Sequence, residues 1–320
     1  MIRKTQFAVA VAALMAAPAF AGTTVDANAE FDTGYYNQGR GSQQGGRIEV
    51  NIAGKAEKDG YFVAGRGTAI LAKGTNNTAG VDDAWVQIGS SMVDVKLGRF
   101  EAADLWPTPG DVVRVGGIYT TNILRGRATY NNVYADDRFH AAVTANLAPG
   151  TSLEVGLVDK KSVGGVAASA KGIRPSIGFS AGGINARVGG EFGSMGDGAG
   201  NTSSFNGLGA TASMAFMPGV TGRINLASGK TNSTAAVAEL KRSAMLLGVD
   251  VAGVNLSVET GKDTQGAVTT KRNGLFAAYT MPLFDIKGAS VAPAIGTQST
   301  DVNGVKTTDT RLAVRVHYDF

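Results

Sequence analysis

The feature that most restricts this chain is a period-two alternation of side-chain character that recurs from near its start to its last residue. Successive side chains on a β-strand point to opposite faces, so such a pattern reads as strand. At the C-terminal end Leu312, Val314, Val316, Tyr318 and Phe320 fall on one face, with Arg311, Arg315, His317 and Asp319 on the other beside Ala313. Val25, Ala27, Ala29 and Phe31 alternate with Asp26, Asn28, Glu30 and Asp32, and Ile48, Val50 and Ile52 alternate with Arg47, Glu49 and Asn51. The same holds for 138–147, 184–188 and 254–259. The polar face carries full charges in strand after strand. A soluble β-sandwich buries its apolar face inward, whereas a membrane barrel turns that face to lipid and keeps a polar lumen.

Loop lengths favour the barrel. Short turns are expected at Lys58-Asp59-Gly60, Ser90-Ser91, Ala148-Pro149-Gly150, Ala181-Gly182-Gly183, Met217-Pro218-Gly219, Ala252-Gly253 and Pro282-Leu283. Between them lie longer polar or Gly-rich stretches at 37–46, 73–80, 160–171, 194–204, 229–239, 262–270 and 298–309. Short turns alternating with longer loops is the outer-membrane pattern, with the short turns on the periplasmic side. The parity predicts an all-β, transmembrane antiparallel β-barrel of about 16 strands. Because an open edge in lipid leaves backbone groups unpaired, its first and last strands must meet. Aromatic residues near the short turns (Tyr61, Phe62, Phe179, Phe216, Tyr279, Phe284, Tyr318 and Phe320) suit the girdles at a membrane interface, although strands favour aromatics in any case.

Residues 1–21 read as an export signal: basic Arg3 and Lys4, an apolar run from Phe7 to Ala17, and the small-x-small site Ala19-Phe20-Ala21. The run is too short to span a bilayer as a helix, and no later segment has 18 consecutive apolar residues. The barrel domain is therefore expected over 22–320. Net charge is only +4 and falls by two with the signal, so no nucleic-acid partner is expected. Cysteine is absent, which removes disulfides and thiolate metal sites. With two histidines, His140 and His317, in distant strands, neither a metal cluster nor a catalytic triad is indicated. No cofactor and no enzymatic activity are expected.

One stretch breaks the rhythm. From Phe100 to Leu124 no regular alternation holds, and Pro107, Pro109, Gly110, Gly116 and Gly117 interrupt it. Long irregular connections in compact proteins are usually functional or disordered. This one carries Glu101, Asp104 and Asp111 ahead of Arg125 and Arg127. Segment 125–137 reads equally as an extra strand, the far limb of the loop, or a lead into the strand at 138–147, which leaves 14, 16 or 18 strands open.

Taken together, the signal, the strand Val25–Tyr36, the run Asp82-Asp83-Ala84-Trp85-Val86-Gln87-Ile88-Gly89, the step Val95-Lys96-Leu97-Gly98-Arg99, the long insertion after it and the ending Val316-His317-Tyr318-Asp319-Phe320 resemble the trimeric porins of Gram-negative bacteria. The likeness spans the mature chain diffusely. It implies a homotrimer in outer-membrane lipid, a passive channel for small hydrophilic solutes or sugars, and a long loop folded into the lumen as a constriction. In that family acidic loop residues face basic wall residues. Carried over, the loop residues are Glu101, Asp104 and Asp111, the wall residues Arg47, Arg66 and Arg99, and Arg125 and Arg127 lie at the loop exit. The resemblance also implies that the barrel assembly machinery reads the terminal Phe320. The loop departs from the general enterobacterial pattern, having Leu105-Trp106-Pro107-Thr108-Pro109-Gly110-Asp111, so pore width and solute are left open. Trp106 is either a platform for stacking a sugar or an anchor holding the loop to the wall. Two other functions stay open: a surface barrel with a plugged lumen, and a hydrolase barrel.

Overall fold

The computed structural model describes residues 22–37, 41–73, 79–108, 139–160, 169–196, 201–232 and 238–320. The segments read above as export signal and as 125–137 lie outside them, as do Asp111, Arg125 and Arg127.

The described chain is one antiparallel sheet closed on itself. Its strand segments are β1 (Thr24–Tyr36), β2 (Gly41–Lys58), β3 (Tyr61–Lys73), β4 (Ala79–Ser90), β5 (Val93–Arg99), β6 (Phe139–Ala148), β7 (Thr151–Lys160) and β8 (Ser169–Ala181). They continue with β9 (Ile184–Gly196), β10 (Thr202–Met217), β11 (Val220–Thr231), β12 (Leu240–Val251), β13 (Val254–Gln265), β14 (Val268–Tyr279), β15 (Met281–Pro282), β16 (Ala289–Val302) and β17 (Val305–Asp319). Each pairs with its sequence neighbour, except that β14 and the two-residue β15 both lie along β16 as parts of one span. Among the described residues the barrel thus has sixteen spans. A transmembrane strand needs about 9–11 residues, so the longest of these reach beyond a bilayer.

Closure is made by β1 and β17, in register from Asn28↔Asp319 to Tyr36↔Arg311. The expected pairing of first and last strands is present down to the final residue. The Ala27 amide donates to the Phe320 carbonyl at 2.9 Å, and the Phe320 amide donates back to the Ala27 carbonyl at 2.8 Å. Among these spans no sheet edge is left open.

The apolar face is the outer one. Ile48, Val50, Ile88, Leu208, Leu226, Leu247, Val258, Leu275 and Leu312 are all exposed, whereas inward Glu49, Asn51, Arg174, Glu191, Asn225 and Glu259 are buried. A soluble protein rarely presents more than a few hundred Å² of contiguous apolar surface. A band repeated around a closed sheet with a polar interior is the arrangement of a transmembrane barrel.

Three details differ from the sequence reading. Stretches 262–270 and 298–309 are not long loops: β13 runs to Gln265 before β14 starts at Val268, and β16 runs to Val302 before β17 starts at Val305. Asn303 and Gly304 have φ of 50° and 93°, the left-handed pair of a two-residue type I′ hairpin. These strands lose their hydrophobic alternation above the lipid, where both faces meet water, but the backbone ladder continues. Phe62 is a lumen residue, paired across the sheet with Glu57 and carrying Lys55 Nζ 4.8 Å from its ring centroid. Finally, the expected turn at Pro282-Leu283 is a longer excursion over 283–288, with both Phe284 and Asp285 at φ 55° and Phe284 83% exposed.

Candidate functional site

The site begins where β5 ends. Gly98 has φ 121°, and a Cβ there would lie 2.3 Å from the Ala84 carbonyl oxygen. Only glycine fits that close approach, and it is the central residue of the Leu97-Gly98-Arg99 step. Arg99 then donates from Nε to the Asp82 carbonyl at 2.7 Å, fixing the exit of the chain. From here residues 100–108 run inside the barrel, along the lumen wall from β6 to β12.

Each contact on that path is specific. Phe100 stacks on His140 with centroids 3.8 Å apart and planes 21° apart. The Ala103 amide donates to Glu154 Oε1 of β7 at 2.9 Å. Leu105, fully buried, lies over Gly189 of β9: a Cβ on that glycine would stand 3.0 Å from Leu105 Cδ2. The ladder is interrupted at this point: Pro175 of β8 has no amide to donate, and the β8–β9 register skips from Ile173↔Phe192 to Ser176↔Gly189. In the gap Arg174 and Glu191 form a salt bridge, each side chain only 1% exposed. Farther on, Trp106 packs with Ala227, Ala244 and Leu246, and the Pro107 carbonyl accepts from Asn225 Nδ2 at 2.6 Å.

The loop meets the wall through apolar and backbone groups. Asp104 accepts from the Trp106 amide at 2.8 Å and lines a cleft with Pro107, Arg187, Arg223, Thr211 and Ser213. Gly150, Ser180 and Asn185 belong to the same cleft, placing it toward the short-turn end. Glu101 is exposed.

The predicted wall arginines sit in a network across β17, β1, β2, β3 and β4. Arg315 grips Asp32 with two hydrogen bonds of 2.7 and 2.8 Å and approaches Glu30 at 3.5 Å. Arg47 bridges Glu30 at 3.2 Å and Glu49 at 3.6 Å. Arg66 reaches Glu49 at 3.8 Å and Asp83 at 3.6 Å, and donates to Asn51 Oδ1 at 2.7 Å. Charges of both signs thus alternate around this wall. Arg47 and Arg66 are brought into one ladder, and Arg99 stands at its edge. Asp104 shares its cleft with a different basic pair, Arg187 and Arg223. Sequence alternation put Arg187 on a polar face, but which polar-face arginines adjoin the loop depends on the loop's path, which no local pattern encodes.

Trp106 is 5% exposed, the burial an anchor requires. His317 places Nε2 3.0 Å from Asp319 and Nδ1 3.6 Å from Glu30. Ser290 lies directly across the sheet from His317, yet both ring nitrogens are directed to carboxylates and neither is placed as a base for a serine. Among the described residues no cluster of three or more His, Asp or Glu is arranged to hold a metal.

The chain matches no protein-family model and no curated protein sequence. Solved structures do resemble it. An anion-selective porin from Comamonas acidovorans superposes with a TM-score of 0.69 at 15% identity, covering 93% of this chain and 99% of that one. A variant of the Rhodobacter blastica porin gives 0.61 at 16% identity, over 93% and 100%. OmpT lacking loop L8, an outer-membrane protein of Vibrio cholerae, gives 0.63 at 11% identity, over 93% and 100%. At such identities the likeness speaks to architecture, and the whole length of each neighbour is matched. The fold of this chain is that of the Gram-negative outer-membrane porins.

Proposed function

We propose that the protein is a passive channel of a Gram-negative outer membrane, through which small hydrophilic solutes and ions diffuse. The observation that carries this reading is the interior: carboxylates and guanidiniums alternate along one wall from Arg315 to Asp83, while a loop segment anchored from His140 to Asn225 crosses the other. In a narrow, low-dielectric passage opposed charges set up a strong local field. A polar solute exchanges its hydration for these groups, an apolar one gains nothing, and rings of charge set ion preference. Asp104, which shares its cleft with Arg187 and Arg223 of the wall, is the part of that field carried by the described loop segment. The porin resemblance adds Glu101, Asp111, Arg125 and Arg127 to the constriction.

The same reading includes a homotrimer that packs through the N-terminal strands and β17. Ala27, Ala29, Gly65, Gly67 and Ala69 share the outward face of β1 and β3, and small residues let membrane elements approach closely. Ala53 of β2 stands across from Arg66 on the lumen face and is not part of this surface. Native mass spectrometry from mild detergent is expected to show three copies, and a sharp monomer mass would contradict it.

Planar-bilayer recording of the purified barrel tests the channel. Stepwise ohmic conductance is expected, with block by members of a sugar panel reporting solute preference. A barrel that inserts and stays silent would favour a plugged lumen. Hydrolysis of an ester or peptide that is lost on His317→Ala would favour an enzyme.

A further inference from the structure

The lipid-facing surface of β11 to β14 changes character toward the long-loop end. On the outward face Leu226 is followed by Ser228 and Lys230, Met245 is preceded by Ser243 and Lys241, Val258 is followed by Thr260 and Lys262, and Leu275 is preceded by Asn273 and Lys271. The four lysines stand in register. Lys230 lies directly across from Lys241, Lys262 directly across from Lys271, and Ser243 links the two pairs by facing Lys262. Like charges directly opposed on neighbouring strands destabilise a sheet. Two carboxylates adjoin the group. Glu239 approaches Lys241 at 3.1 Å and Lys230 at 3.8 Å, and Asp301 pairs in register with Lys271 while accepting from the Gly304 amide at 2.7 Å. The nearby Asp263 faces the lumen, where it binds Arg242 and Arg272. Among the described residues these four positive groups face two carboxylates, one of which, Asp301, also stands across from Lys306.

A groove runs between these side chains, lined by Leu208, Ser228, Lys230, Lys241, Lys262 and Thr264. Its position fixes what fits it. Lys262 lies four residues beyond Val258, about 13 Å along the strand, so the ammonium groups sit where headgroups meet the apolar band. An occupant that continues the lipid contacts of Leu226, Met245, Val258 and Leu275 and also neutralises the lysines needs acyl chains below and anionic groups above. Phosphate is the matching group: it carries about −1.5 to −2 charges at neutral pH, and lysine binds it as a point charge.

We propose that the outward face of β11–β14 is a binding site for the phosphorylated headgroup of an outer-leaflet lipid, held by Lys230, Lys241, Lys262 and Lys271. The proposal rests on the outer-membrane reading of the barrel and is independent of what the lumen conducts. Its test uses the purified barrel in neutral detergent, titrated with lipid A and followed by native mass spectrometry. Bound lipid is expected on the wild type. Combining Lys241→Gln, Lys262→Gln and Lys271→Gln is expected to weaken binding by at least roughly tenfold. Lys58→Gln with Lys287→Gln, at the opposite end of the barrel, is expected to leave it unchanged. Lipid A stripped of its phosphates is expected to bind wild type and triple variant equally and weakly, and millimolar inorganic phosphate to leave the lipid bound. Equal affinity of the triple variant for lipid A overturns the proposal. So does displacement by inorganic phosphate, which would make this a site for the free anion. The triple variant should keep wild-type bilayer conductance, so a failed lipid test and a failed channel reading are told apart.

Discussion

Leu105 of the inner loop rests on Gly189 of the barrel wall, and neither residue could be larger without displacing the other. A Cβ on Gly189 would meet the Pro175 carbonyl at 2.7 Å and Ser176 Cβ at 2.8 Å as well as Leu105. The loop is seated in a place where the wall has given up both a side chain and a ladder position. Its hold on the wall is completed by Trp106 and by Asn225.

Removing the loop is expected to open the passage. Deleting 104–117 should raise single-channel conductance and erase any difference in block among sugars. The milder Asn225→Ala removes two hydrogen bonds, one given to the Pro107 carbonyl and one accepted from the Thr211 hydroxyl, each worth about 0.5–1.5 kcal/mol, and should leave the mean conductance near wild type while increasing open-channel noise. If the deletion leaves conductance unchanged, the loop is not the constriction.

Ion preference should follow the cleft at Asp104. Asp104→Asn, alone or with Asp111→Asn, leaves Arg187 and Arg223 less opposed and should move the reversal potential toward anions. Arg187→Gln with Arg223→Gln should move it the other way. Both shifts should be large at 0.1 M salt and small at 1 M, because the Debye length falls from about 10 Å to about 3 Å. Reversal potentials that ignore both substitutions would take selectivity away from this cleft.

Two salt bridges should differ widely in their effect on stability. Glu191→Gln breaks the buried pair with Arg174, and breaking such a pair costs about 3–5 kcal/mol. Glu57→Gln breaks the pair with Lys55, whose side chains are 53% and 63% exposed, and should cost about 0–1 kcal/mol. Urea unfolding followed by the loss of heat-modifiable gel mobility compares them directly.

Deleting Phe320 tests its two roles separately. The truncation removes the reciprocal hydrogen bonds with Ala27, about 1 kcal/mol each, so refolding into detergent in vitro should persist with a modestly lower midpoint. If the assembly machinery reads this residue, the amount of barrel reaching the membrane in cells should fall much further than that loss of stability explains. Equal deficits in both assays would make Phe320 a purely structural terminus.

The sequence by itself determined the sheet, its closure and its two faces. These depend on local periodicity and on backbone hydrogen bonding, and Ile48-Glu49-Val50-Asn51 states its register with no help from distant residues. Even the start of the inner loop was marked, since Gly98 answers to a neighbouring carbonyl one strand away. What only the tertiary structure decided is which residues meet across the lumen. Arg47 and Arg66 pair with carboxylates of β1, β2 and β4 because strand order places them there. Arg187 and Arg223 adjoin Asp104 because Leu105 found a glycine on β9 and Trp106 an alanine-lined pocket on β11 and β12. Contacts of that kind join residues about a hundred positions apart and depend on the barrel having closed. The outer ends of β13, β14, β16 and β17 teach the same lesson in reverse. Once both faces of a strand meet water, no alternation remains to be read, and only the ladder of its neighbours keeps it extended.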